Sequence, residues 1–162
     1  MILEIRKFNE PVLRKKARKI RSITPKIKQL AIDMVQTMKK GEGIGLAAPQ
    51  VGVLKRMIVI ETDYRNRGVL ALVNPKIIKR SSKKEKDTEG CLSFPGIYIE
   101  LKRAEKVEVK ARNINGEKIR FKAEGLLARV LQHEIDHLNG IVFYKRLNLI
   151  KRIIFQAKHH LR

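Results

Sequence analysis

Apolar positions follow a helical period in three stretches of the chain. Ile27, Leu30, Ala31, Met34, Val35 and Met38 lie on one stripe, behind Thr24 as an N-cap and Pro25 at the first helical position, and Gly41 ends the run. Leu126, Leu127, Val130, Leu131, Ile135 and Leu138 form a second stripe, stopped by Asn139 and Gly140, two residue types that tolerate left-handed backbone. Leu147, Ile150, Ile154, Ala157 and Leu161 form a third, with Asn148 as a cap and Lys151, Arg152, Lys158 and Arg162 around it. This last pattern predicts an amphipathic helix over residues 148–162, its apolar stripe on the body and its basic face outward.

Elsewhere the period is two or the run is continuously apolar. Residues 57–61 and 69–73 are rich in Ile and Val and predict strands, with 63–68 as the loop between them. Asn74-Pro75 predicts a turn, 76–79 a short strand and 80–86 a charged loop. Val107, Val109 and Ala111 alternate with Lys106, Glu108 and Lys110, and Ile119 and Phe121 alternate with Lys118, Arg120 and Lys122. With Asn115-Gly116 between them, these make a hairpin. Residues 141–144 predict a short apolar strand, and 1–23 an irregular basic arm. The sum is an α+β chain of antiparallel or mixed sheets around the helix at 126–138, with an N-terminal and a C-terminal helix, as one domain over 1–162.

Composition narrows the class. A chain of 162 residues, 43 % hydrophobic, can bury a core and is not a disordered polyelectrolyte. Its 37 Lys+Arg against 16 Asp+Glu give a net charge of +21. That balance suits polyanionic surroundings such as RNA, a ribosome or anionic lipid, or else a surface evenly coated with Lys and Arg. No apolar run is long enough to span a membrane, and charges come too early for a signal peptide. Cys91 is the sole cysteine, so no internal disulfide can form, which fits a reducing cytoplasm.

The chemistry concentrates in His133-Glu134-Ile135-Asp136-His137. Two histidines four apart on a helix present their imidazoles on one face, and a glutamate beside the first is the arrangement of metal hydrolases. Taken alone, the pair favours a metal site over the blander reading of two surface histidines on an amphipathic helix. A catalytic site needs three protein ligands and an open position. The elongated metzincin pattern fails because Phe143 stands where its third histidine belongs. A downstream glutamate is ruled out because no acidic residue follows Asp136, and His159 and His160 lie in the basic C-terminus. Cys91 remains. A thiolate and two imidazoles leave one position for water.

Three segments then stand together: Gly43-x-Gly45-Leu46-Ala47-Ala48-Pro49-Gln50, Glu89-Gly90-Cys91-Leu92-Ser93 and Gln132-His133-Glu134-x-Asp136-His137. They resemble the three signature motifs of the peptide deformylase family, in that family's order, and the likeness covers nearly the whole chain. The resemblance implies a metal-dependent hydrolase that removes the N-formyl group from the N-terminal methionine of new polypeptides and releases formate. It implies a metal on Cys91, His133 and His137, Fe2+ by preference, with Zn2+, Ni2+ or Co2+ able to take its place. A metal there makes hydroxide available near neutral pH for attack on the formyl carbon, with Glu134 as general base and then acid. By the same analogy the Gln50 amide and the Leu92 backbone N–H stabilise the oxyanion. Ile44, Gly45, Leu126 and Val130 are similar to the family's residues for the methionine side chain, and main chain near Ile44-Gly45 and Gly90 is expected to pair with the peptide as an added strand.

Arg129 is expected at the pocket mouth with its stem packed inside, and Asp136 either behind a metal ligand or in a surface salt bridge. The partners implied are formylmethionyl nascent chains and, through the basic C-terminal helix, ribosomal RNA, with the enzyme a cytoplasmic monomer. Two other classes compete. One is a metallopeptidase of the His-Glu-x-x-His type, which leaves Cys91 without a role. The other is a basic RNA-binding module, which lacks aromatic-rich recognition strands in a chain only 5 % aromatic.

Overall fold

A computed structural model describes residues 1–63 and 68–161. Its elements run α1 (Pro25–Lys40), β1 (Gly45–Ala47), β2 (Met57–Asp63), β3 (Gly68–Arg80), β4 (Lys84–Cys91), β5 (Phe94–Ala104), β6 (Lys106–Arg112), β7 (Lys118–Glu124), α2 (Gly125–Leu138) and α3 (Leu149–Lys158). Five strands form an antiparallel sheet in the order β1-β2-β3-β6-β7, and β4 and β5 pair as a separate hairpin. The α+β class expected from the sequence is the one found.

The unbroken apolar run in β2 has a packing cause. Met57 and Val59 face a cluster with Ala31, Met34 and Met38 of α1, while Ile58 and Ile60 face Ala128, Leu131, Ile135 and Leu138 of α2. A strand covered on both faces has no polar side to alternate. The helix α2 is therefore central, and no residue from Ala128 to Leu138 is exposed. Buried polar side chains are ordinarily paired, and Gln132 of this helix is fully so. Gln132 Nε2 donates to the Ala104 and Ala128 carbonyls at 2.9 Å each, and its Oε1 accepts from Ala104 N at 3.1 Å.

The end of α2 is fixed from outside. Gly140 adopts φ +73°, its N–H donates to His137 O, and Ile141 N–H donates to Asp136 O. This is a Schellman closure. The N-terminal segment crosses over it. Ala17 N–H caps Leu138 O at 2.9 Å, and a Cβ on Gly140 would lie 2.5 Å from Arg14 O. Residues 1–23 are irregular as expected, apart from a 3-10 turn at Pro11–Arg14, but they wrap the body and bury Leu13, Ala17 and Ile20.

Four expectations change. Asn74-Pro75 does not end a strand. It forms a bulge within β3, where Asn74 takes φ +53° and its amide holds both backbone groups of Ile20. Pro75 has no N–H for the ladder, and a bulge accommodates that. Residues 80–86 are not all loop, because β4 starts at Lys84. The loop expected at 63–68 falls largely on residues 64–67, outside the described residues. Residues 141–144 form no strand. Phe143–Arg146 is a 3-10 turn whose Phe143 and Tyr144 pack with Phe94 and Phe155. The helix α3 forms behind Asn148, whose Oδ1 accepts from Lys151 N at 2.9 Å, but only the ends of the expected stripe, Leu147 and Leu161, pack on the body. Phe155 and Leu161 are buried there, and Ile150 and Ile154 face outward.

Candidate metal centre

Helix α2 places His133 and His137 one turn apart with their Nε2 atoms 3.2 Å from each other. The hairpin brings in Cys91 at the end of β4, just before the tight turn through Leu92 and Ser93 into β5. Its Sγ lies 3.3 Å from His137 Nε2. The three donor atoms all fall within 4.8 Å of one another.

Glu89 decides how this trio is oriented. Its Oε2 lies 3.0 Å from His133 Nδ1. Burial raises the cost of charging Glu89, but Arg103 and His133 outweigh it and hold the carboxyl far below its usual range. An ionised carboxylate only accepts, so His133 Nδ1 must donate, which turns Nε2 toward Cys91 and His137. Burial also opposes charge on His133, yet Cys91 and Glu89 raise its pKa well above the usual imidazole value. Burial and the neighbouring His133 push His137 well below it. The cluster thus favours one positive charge at its centre, which a proton on His133 or a cation can supply. The soft thiolate and two nitrogens suit a divalent transition metal, and the residues fit that group.

Behind Glu89 lies a buried ionic chain. Arg103 Nε and Nη2 donate to the two Glu89 oxygens at 2.8 and 2.9 Å, and its Nη1 donates to Asp136 Oδ2 at 2.6 Å. Arg129 Nη1 donates to Glu89 Oε1 and to Leu101 O, and its Nη2 to Glu85 O. Arg146 closes the far end on both Asp136 oxygens. Removing one partner from a buried set of this kind leaves an uncompensated charge, at a cost of about 3–5 kcal/mol. Two expectations are corrected here. The Arg129 head is not at the pocket mouth but buried on Glu89, clamping the hairpin to α2. Asp136 is neither at the surface nor against a histidine; it acts on Glu89 through Arg103.

The remaining residues line a cavity of ~620 Å3 beside the trio. Ile44, Gly45, Gln50, Gly90, Cys91, Leu92, Leu126, Val130, His133 and Glu134 all contribute to it. Gln50 is held by its own carbonyl, which accepts from Ala47 N at 2.8 Å, so its NH2 faces Cys91 Sγ at 3.5 Å and Ser93 Oγ at 3.3 Å. Glu134 lies against Gly45, and a Cβ there would meet its Oε1 at 2.6 Å. Burial pushes the Glu134 carboxyl up to about 7. Its Oε2 and His137 Nδ1 are buried without a hydrogen-bond partner among the described residues. A group with a pKa near neutrality beside a candidate metal-ligand trio is suited to move protons. The cavity runs between β1 and β4, each paired on one side only.

Sequence reasoning quoted Glu89 within a motif but gave it no task, and it passed over Arg103. An acid two residues before a candidate thiolate was the available signal for Glu89. Nothing local marked Arg103.

The polypeptide deformylase family model matches residues 2–153. A peptide deformylase of Dictyoglomus thermophilum is 49 % identical over 146 residues, covering 90 % of this chain and 93 % of that protein. One from Thermodesulfovibrio yellowstonii is 48 % identical over 159 residues, covering 97 % and 96 %. Among solved structures, the peptide deformylase of Thermus thermophilus superposes with a TM-score of 0.92 at 42 % identity, over 98 % of this chain and 93 % of that one. That of Synechococcus elongatus, in complex with actinonin, gives 0.90 at 40 %, over 99 % and 89 %.

Proposed function

Since the chain belongs to the peptide deformylase family, we infer from the geometry of its site how each residue serves the family's reaction. The protein is a metal-dependent hydrolase that removes the N-formyl group from the N-terminal methionine of newly made polypeptides and releases formate. Cys91, His133 and His137 would hold the metal. When bound, the metal supplies Lewis-acid polarisation and activates water near neutral pH. Fe2+ is our first assignment, with Zn2+, Ni2+ and Co2+ compatible with the same donors.

Glu134 takes a proton from the attacking water and delivers it to the departing amine. Its carboxyl, pushed up to about 7, is matched to both transfers. The Gln50 NH2 and the Leu92 N–H are our assignment for the donors to the developing oxyanion. The pinned Gln50 carbonyl supports this, because a preorganised donor does not reorganise during reaction. Ile44, Gly45, Leu126 and Val130 take the methionine side chain. The open edges of β1 at Gly45 and β4 at Gly90 accept the peptide as an added strand. Main-chain pairing of this kind leaves later side chains largely unread.

The observation that carries this reading is the convergence of the Cys91, His133 and His137 donor atoms beside Glu134. It is tested by formate release from a formyl-methionyl tripeptide, using protein loaded anaerobically with Fe2+, beside a Glu134→Gln variant assayed for metal. Release by the parent alone, with equal metal in both, is expected. Equal turnover by both would remove Glu134 from the chemistry.

We place the enzyme in the cytoplasm as a monomer, with residues 1–162 acting as a single catalytic domain. The net charge of +21 supports encounter with ribosomal RNA, where its substrates emerge. Lys145, Arg146, Lys151, Arg152 and Lys158 of the C-terminal segment contribute to that field. Co-sedimentation with ribosomes that weakens as salt rises is the expected result.

A further inference from the structure

Helix α3 is turned with its apolar side to solvent. Leu149 is 61 % exposed, Ile150 72 %, Ile153 56 % and Ile154 61 %. At 3.6 residues per turn these four and the exposed Ala157 span an arc of about 140°. Phe155, on the opposite side, anchors the helix in the aromatic cluster with Phe143 and Tyr144. Exposed Lys151 and Lys158 border the apolar arc beyond Ile154, and Lys145 stands exposed in the preceding turn.

A helix with this arrangement lays aliphatic side chains into a surface while flanking ammonium groups reach anionic groups at its edge. Nucleic acid would engage the lysines but has no use for four exposed aliphatics. A second copy would bring two such helices together with like charges on both, and no acidic residue follows Asp136 to neutralise them. An anionic lipid surface satisfies both halves of the pattern.

We propose that α3 is a peripheral membrane anchor, which seats Leu149, Ile150, Ile153 and Ile154 among the acyl chains of an anionic bilayer with Lys151 and Lys158 at the headgroups. The helix does not span, and among the described residues no helix is long and apolar enough to do so. This anchoring does not rest on the hydrolase chemistry, and the active-site cavity borrows nothing from α3.

The test is flotation of the metal-loaded, full-length protein with vesicles of phosphatidylglycerol and phosphatidylcholine, or of phosphatidylcholine alone, at low and at 0.5 M salt. The parent is expected to float with the anionic vesicles and to keep a bound fraction at high salt. Ile153→Asp/Ile154→Asp is expected to lower that salt-resistant binding at least tenfold while turnover of a soluble formyl-methionyl peptide is unchanged. Three results would overturn the proposal: binding lost equally by parent and variant at high salt, no flotation at all, or a concentration-dependent dimer in sedimentation that the same substitutions dissolve. Retention on ribosomes that needs Ile153 and Ile154 while vesicles are ignored would transfer the face to a ribosomal partner.

Discussion

His133 Nδ1 and Glu89 Oε2 stand 3.0 Å apart, both residues buried, and this one contact fixes which nitrogen of His133 faces Cys91. Outer partners of a ligating histidine commonly set metal affinity by about 10–100-fold. Glu89→Gln keeps the shape but loses the ionised acceptor that Arg103 and Arg129 also use. Metal affinity, read by competition with a chromophoric chelator, should drop by that factor. Unchanged affinity would mean that packing against Phe143 orients the ring by itself.

Gly45→Ala places a methyl group 2.6 Å from Glu134 Oε1 and 2.9 Å from Val130 Cγ1. The backbone of β1 is hydrogen-bonded to β2 and cannot withdraw easily, so Glu134 must move. Displacement of a catalytic group by about 1 Å can cost about 10²-fold in rate. Turnover should fall on that scale with the metal retained, as metal analysis beside steady-state kinetics would reveal.

Gln50→Leu removes one donor from the wall next to Cys91. Losing one such donor costs about 10²–10³ in kcat. The expected variant binds one metal and turns over slowly. Loss of metal instead would make Gln50 a structural support for the Cys91 turn through its contacts with Ser93 and Ala47.

Burial pushes the Glu134 carboxyl from its ordinary value of 4.5 up to about 7. A folded-state pKa above the unfolded one gives stability that is full below the unfolded value and lost as pH rises through the folded value. In protein stripped of metal, the parent should therefore lose ground to Glu134→Gln between pH 4.5 and about 7. Each pKa unit is worth about 1.4 kcal/mol, so the difference approaches roughly 3 kcal/mol. Urea midpoints of both proteins at pH 4.5 and 8 measure it, and a difference that does not change with pH would contradict it.

The helices and the main hairpin were legible because Thr24, Asn148, Asn115-Gly116 and the apolar periods all act over a few residues. The trio was legible because its spacing and the single cysteine left few alternatives. The ionic chain was not, since Arg103, Arg129, Asp136 and Arg146 are spread over three elements and look like ordinary surface charges in one dimension. The strands β4 and β5 were missed for a related reason. β4 exposes most of its residues, so it carries charges where a pattern search expects alternation. The orientation of α3 misled in the opposite way: within the helix Phe155 alone is buried, and a broader aliphatic stripe lies on the other side.

Cys91 and His137 are 46 positions apart in the chain, with β5, the hairpin and most of α2 between them. Closing so long a loop carries an entropic penalty that the metal can offset only once β4–β5 has docked on α2. A molecule still being synthesised, before residues 133–137 are made, therefore holds Cys91 without either histidine partner. The complete donor set is thus a late product of each copy's synthesis, and a metal bound there would be the clasp that marks the hairpin and the helix as docked.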